Sequence, residues 1–167
     1  MKKYYPPVRT LHLYFGLFIS PFVLIFSISV LVFNHPGLIN GISPITVLPE
    51  IRTKLDKIPF DTSDVKTARA IIKKLNIKGE VDFISKNDSS FSFPVNKPGL
   101  KTYIKVNTKN DSILITSKSE GSLRAMTYLH STPGPHNVKV RGNSSFMKVW
   151  SVLADVVVYL LLFLTAL

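Results

Sequence analysis

The apolar residues of this chain gather in two blocks at its ends, and the middle alternates between apolar and polar positions. The first block, Leu11 to Phe33, reads LHLYFGLFISPFVLIFSISVLVF and holds no Asp, Glu, Lys or Arg. As a helix it would rise ~35 Å, enough to cross the ~30 Å hydrocarbon core of a bilayer. Pro21 predicts a kink within it, which neighbouring helices accommodate in a membrane. The second block, Val149 to Leu167, reads VWSVLADVVVYLLLFLTAL and holds one charge, Asp155. It is just long enough to span. No basic or aromatic flank follows it, so the natural chain is expected to continue beyond Leu167.

The polar middle predicts a small α+β unit. Val65, Ala68, Ile71, Ile72 and Leu75 fall on one helical face. Acidic residues from Asp61 to Asp64 mark the start of that helix, Lys73 and Lys74 suit its C-terminal end, and Gly79 ends the segment. Short alternating runs follow at Val81–Ile84, Phe91–Phe93, Lys101–Asn107 and Ser112–Ser117. Asn110-Asp111 predicts a hairpin between the last two, and Lys97-Pro98-Gly99 another turn. Gly121–Ser131 is predicted as a short helix carrying Leu123, Met126 and Leu129. The Gly, Pro, Ser and Asn of Thr132–Ser145 predict a loop. The expected layout is therefore a tail (1–10), a transmembrane helix (11–34), an α+β domain (35–131), a loop (132–146) and a second transmembrane helix (147–167). The domain holds one covering helix and three or four antiparallel strands.

Composition narrows the chemistry. Cys is 0 in 167 residues, which excludes disulfides, thiolate metal sites, a Cys nucleophile and thioether-linked haem. Lys+Arg 21 against Asp+Glu 10 gives a net charge of +11, which two membrane blocks attribute to an anionic membrane surface. Lys2, Lys3 and Arg9, with no acid in the short tail, place the N-terminus in the cytoplasm by the positive-inside rule. The middle domain is then extracytoplasmic, periplasmic in a bacterial inner membrane. Tyr4, Tyr5 and Tyr14 fit an interfacial aromatic belt. The first block is too long for a signal-peptide core of ~7–15 residues, and no small-x-small cleavage site follows it, so it reads as a retained anchor. Lysines alternating with Tyr103 and its neighbours are the solvated face of a sheet, and an extracytoplasmic domain is expected to bind no nucleic acid. Asn87, Asn110 and Asn143 match the N-x-[ST] pattern by chance. No zinc-protease, phosphate-loop or nucleophile-elbow motif is present, and no other metal site or catalytic residue is expected.

Several short motifs, taken in order, carry a resemblance. Arg9 to Pro36, with Leu11-His12, Phe15-Gly16 and Asn34-His35, resembles the PepSY-associated transmembrane helix family. Ser27, Ser29 and Val30 stand where that family usually has Thr-Gly. The middle resembles a compact PepSY domain, with Lys97-Pro98-Gly99 and Leu129-His130. The last block resembles the family's closing span through Trp150 and Ala154-Asp155.

The resemblance implies one function, and the length and motifs of the chain suggest another. Large members look like dihaem ferric-siderophore reductases with haem b held by helix-end histidines. A haem b electron-transfer module would here draw its ligands from His35 and His130, which the expected topology puts on one side, with His136 in reserve. His12 lies 23 residues from His35, ~35 Å along a helix, and cannot share their haem. Asp155 would then accept a hydrogen bond from a histidine ring. On the residues alone these are interfacial histidines, and Asp155 snorkels or bonds to the first helix. The other function is an accessory subunit of an inner-membrane complex, linked to iron uptake, whose outer domain docks a partner. This second function suits a short chain with no flavin or nicotinamide fingerprint and no catalysis of its own. Its expected partners are the bilayer and other membrane subunits, or a second copy.

Overall fold

The computed structural model describes residues 5–55, 61–131 and 142–166. The tail residues Lys2, Lys3 and Tyr4, most of the Thr132–Ser145 loop, and His136 within it lie outside the described residues. Two helices long and apolar enough to cross a membrane flank a sheet-rich domain. The first, α1, runs Tyr5–Asn34, and the last, α5, runs Ser145–Ala166. Between them come α2 (Pro36–Ile42), β1 (Thr46–Val47), β2 (Ile51–Lys54), α3 (Asp64–Lys74), β3 (Glu80–Val81), β4 (Ser85–Asn87), β5 (Ser90–Lys97), β6 (Leu100–Asn107), β7 (Ser112–Ser119) and α4 (Gly121–Ser131).

One antiparallel sheet organises the domain. β7, β6 and β5 lie side by side, with β1 and β2 on the outer edge of β7 and β3 and β4 on the outer edge of β5. The register sets Phe91 opposite Val106, Phe93 opposite Ile104 and Val95 opposite Thr102. Ile104 in turn faces Ile115, and Val106 faces Ile113. Period-two alternation therefore puts every one of these side chains on one face. α3 covers that face with Thr67, Ala68, Ile71 and Ile72, as the helical spacing predicts. Ile71 and Phe91 are fully buried, and each such side chain contributes ~1.5–3 kcal/mol of hydrophobic stabilisation. The opposite face carries Arg52, Lys54, Tyr103, Lys105 and Lys118 and is exposed at each of them.

The turns behave as their residues require. Pro98-Gly99 joins β5 to β6, with Gly99 at φ +76°, and Asp111 takes φ 54° before β7. Pro94 sits within β5 at the break between β3 and β4, where its missing N–H interrupts no ladder. Several features differ from the sequence expectation, among them the run Val81–Ile84, of which only Val81 is in a strand. β1 and β2 pair with β7, although their residues alternate too little to signal strands, and both remain largely exposed. A short helix, α2, follows α1 directly, with Pro36 at its start.

α1 and α5 meet along a seam in which Phe15 touches Phe163 (6.2 Å between ring centroids) and Phe22 touches Trp150 (6.0 Å). The pairing is antiparallel, since position numbers fall along one helix as they rise along the other. Beyond this seam α4 packs against the C-terminal part of α1, where His130 meets Phe26, and Ser29 of α1 is 1% exposed. Small residues such as serine let helices approach closely. Gly121 starts α4 at φ +72°, and a side chain there would collide with Ser43, whose hydroxyl donates to the Glu120 carbonyl at 2.8 Å.

Candidate functional site

The four histidines occupy different places. His12 is exposed near the N-terminal end of α1, and His35 is exposed between α1 and α2. His130, in the last turn of α4, sets its ring edge-on to Phe26 at 5.2 Å. Phe26 precedes His35 by nine residues, ~13–14 Å of helical rise. His130 and His35 thus attach to α1 at different levels, and the aromatic partner of His130 is Phe26. Next to it, the Trp150 indole N–H donates to the Leu129 carbonyl at 2.9 Å. That carbonyl lies in the last turn of α4, where no intrahelical donor is left for it. Trp150 therefore ties the start of α5 to the end of α4.

Asp155 is the only acid in either long helix. Trp150, which touches Phe22 of α1, and Val157, 0% exposed, lie on one side of α5. Asp155 lies on the other side, exposed, and makes no hydrogen bond or ion pair with any described residue. It does not bond to α1, and no described histidine donates to it.

The strongest polar cluster joins the sheet to α5. Glu80, 7% exposed on β3, accepts hydrogen bonds from the backbone N–H of Asn143 (3.0 Å) and Ser144 (2.6 Å). These donors belong to the N-terminal end of α5, where amides lack helical acceptors and a negative charge is favoured. The Asn143 amide completes the joint. Its Oδ1 accepts from the Val81 N–H at 2.9 Å, and its Nδ2 donates to the Val81 carbonyl at 2.7 Å. Burial raises the Glu80 carboxyl above its ordinary pKa of 4.5, opposed by those backbone donors and by the Arg69 charge. Sequence reasoning passed over both residues, because Asn143 matched only a chance glycosylation pattern and Glu80 lies 64 positions from Ser144.

A cavity of about 800 Å³ opens beside this joint, between the end of α3, β3, the β5–β6 turn and the first turn of α5. Arg69, Lys73, Lys78 and Lys97 line it, and Glu80 is the only acid among the described residues of the lining. Arg69 donates to the Gly79 carbonyl at 3.0 Å. Lys73, Lys78 and Lys97 are exposed and form no ion pair with the described residues. Among the described residues no group of three or more His, Asp or Glu side chains is arranged to hold a metal ion.

No family model matches the chain, and no curated protein or solved structure matches it.

Proposed function

We propose that this protein is a membrane-anchored accessory subunit, held in the bilayer by α1 and α5, whose outer domain docks a larger membrane partner. The observation that carries this reading is Asp155, an acid on the outward side of an apolar helix with no partner among the described residues. An intramembrane carboxyl facing lipid is costly, and such groups ordinarily meet a cation or hydrogen-bond donor. The expected contact is a partner helix presenting Lys, Arg, His or a hydroxyl at that level. A second copy suits it less well. Parallel copies in one bilayer would bring two Asp155 carboxyls together, and like charges at contact disfavour ionisation of both.

A second surface supports docking outside the bilayer. Ile42, Ile45, Val47 and Ile51 are 70%, 47%, 61% and 56% exposed around the β1–β2 edge. Apolar residues concentrated on an open sheet edge suit a protein contact. A link to iron uptake, and the haem b alternative with ligands from His35, His130 or His136, rest on the family resemblance. The PepSY-like identity of the domain is part of the same proposal.

The test is co-migration. Full-length protein in mild detergent should run within a larger complex on native gels. Asp155→Asn should keep most of that complex through the remaining amide, and Asp155→Leu should lose most of it. Wild type running as an isolated small species, or Asp155→Leu running like wild type, contradicts the proposal.

A further inference from the structure

The basic cavity beside the α5 joint has no role in the docking reading, and its chemistry is specific. Three exposed lysines and Arg69 converge on a space of about 800 Å³ whose only acid among the described residues, Glu80, is already engaged by the backbone of Asn143 and Ser144. Such a site sets four cationic side chains against a single carboxyl group. Its floor is apolar, made partly by Ile72, Ile77 and Met147. One wall is Phe146, in the first turn of α5 and 53% exposed.

That wall continues into the helix. Val149, Val152 and Val156 are 68%, 64% and 42% exposed and follow Phe146 along one flank. At about 100° per residue, Phe146 lies about 180° and Val149 about 120° around α5 from Asp155. The upper part of this apolar flank, Phe146 and Val149, is therefore turned away from Asp155, whereas Val152 lies about 60° from it. An anion-seeking pocket sits at the top of an apolar helix face of bilayer length.

We infer that this cavity binds the phosphate headgroup of an anionic phospholipid, with Lys73, Lys78 and Lys97 around the phosphate and an acyl chain along Phe146, Val149 and Val152. Clustered lysines beside a span attract anionic headgroups through charge, and the apolar flank distinguishes a lipid from a free phosphate. The proposal rests on α5 being a membrane span.

Native mass spectrometry of the full chain, titrated in neutral detergent with phosphatidylglycerol or phosphatidylcholine, tests it. One phosphatidylglycerol should bind, and removing three lysines by Lys73→Gln, Lys78→Gln and Lys97→Gln together should weaken it roughly 10- to 100-fold. The matched triple Lys54→Gln, Lys105→Gln and Lys118→Gln, on the outward sheet face, should leave binding unchanged. Equal binding of the two lipids, or equal losses in the two triples, overturns the inference. Full displacement of the lipid by millimolar glycerol 3-phosphate would assign the cavity to a free phosphate and overturn it too. Alkaline carbonate extraction separates the two levels. Release of the chain from membranes would overturn the span and this proposal together, whereas a retained chain indifferent to lipid charge overturns this proposal alone.

Discussion

Glu80 on the edge strand β3 accepts a 2.6 Å hydrogen bond from the backbone N–H of Ser144, so a sheet carboxylate caps the helix that leaves the domain. The orientation of α5 is thereby coupled to the sheet, through one side chain and the Asn143–Val81 pair beside it.

This coupling gives stability a pH dependence of stated sign. Glu80 is held above its ordinary value of 4.5 by burial, so the folded protein keeps its proton to higher pH than the unfolded chain. Where the native state binds more protons, stability falls as pH rises. Domain stability should therefore decline from pH near 4.5 upward through the raised pKa. Glu80→Gln should flatten that slope. Denaturant unfolding at several pH values measures it, and parallel slopes in the two proteins would contradict the assignment. Asp61 acts in the opposite sense. The Thr62 hydroxyl and nearby backbone N–H groups hold it below 3.8, so its contribution is present above 3.8 and lost as pH falls through the lowered value.

Ile71 is fully buried between α3 and the sheet. Ile71→Asp places an unpaired charge there and is expected to cost roughly 3–5 kcal/mol. Limited proteolysis of the variant should cut the domain much faster than wild type. Wild-type resistance would mean that α3 does not cover the sheet.

Much of this architecture is legible in the sequence. The α3 stripe, the Pro98-Gly99 turn and the alternation of β5, β6 and β7 each follow from local residues, because a buried face imposes its own period. The two apolar helices follow from length alone. β1 and β2 escape a sequence reading because their contribution is backbone pairing with β7 and not a buried face. The α5 joint escapes it for another reason. Glu80 and Asn143 are ordinary surface types whose meaning arises only when chain segments more than 60 residues apart are folded together. The histidines depend on packing in the same way: His35 and His130 suggest a pair by type and by their nearness to the spans, and how α4 packs is not written in either residue. That packing puts Phe26 beside His130.

Orientation in the membrane has its own test. By the positive-inside rule the short basic tail is expected to hold the N-terminus inward and the β6–β7 turn at Asn110 and Asp111 outside. A periplasmic phosphatase reporter fused at Asn110, which is exposed, should be active, and a cytoplasmic reporter there silent. The reverse pattern would invert the topology.

In the proposed complex the Asp155 flank of α5 meets a partner helix inside the bilayer. Leu162 lies two turns further along that flank and is 62% exposed, so a photo-crosslinking residue placed there reads the contact directly. Irradiation of membranes should give one discrete heavier adduct, absent when Asp155→Leu is added and absent when the crosslinker is moved to Val149 on the far flank. No protein adduct at 162, or an adduct that persists unchanged in the Asp155→Leu background, would contradict it.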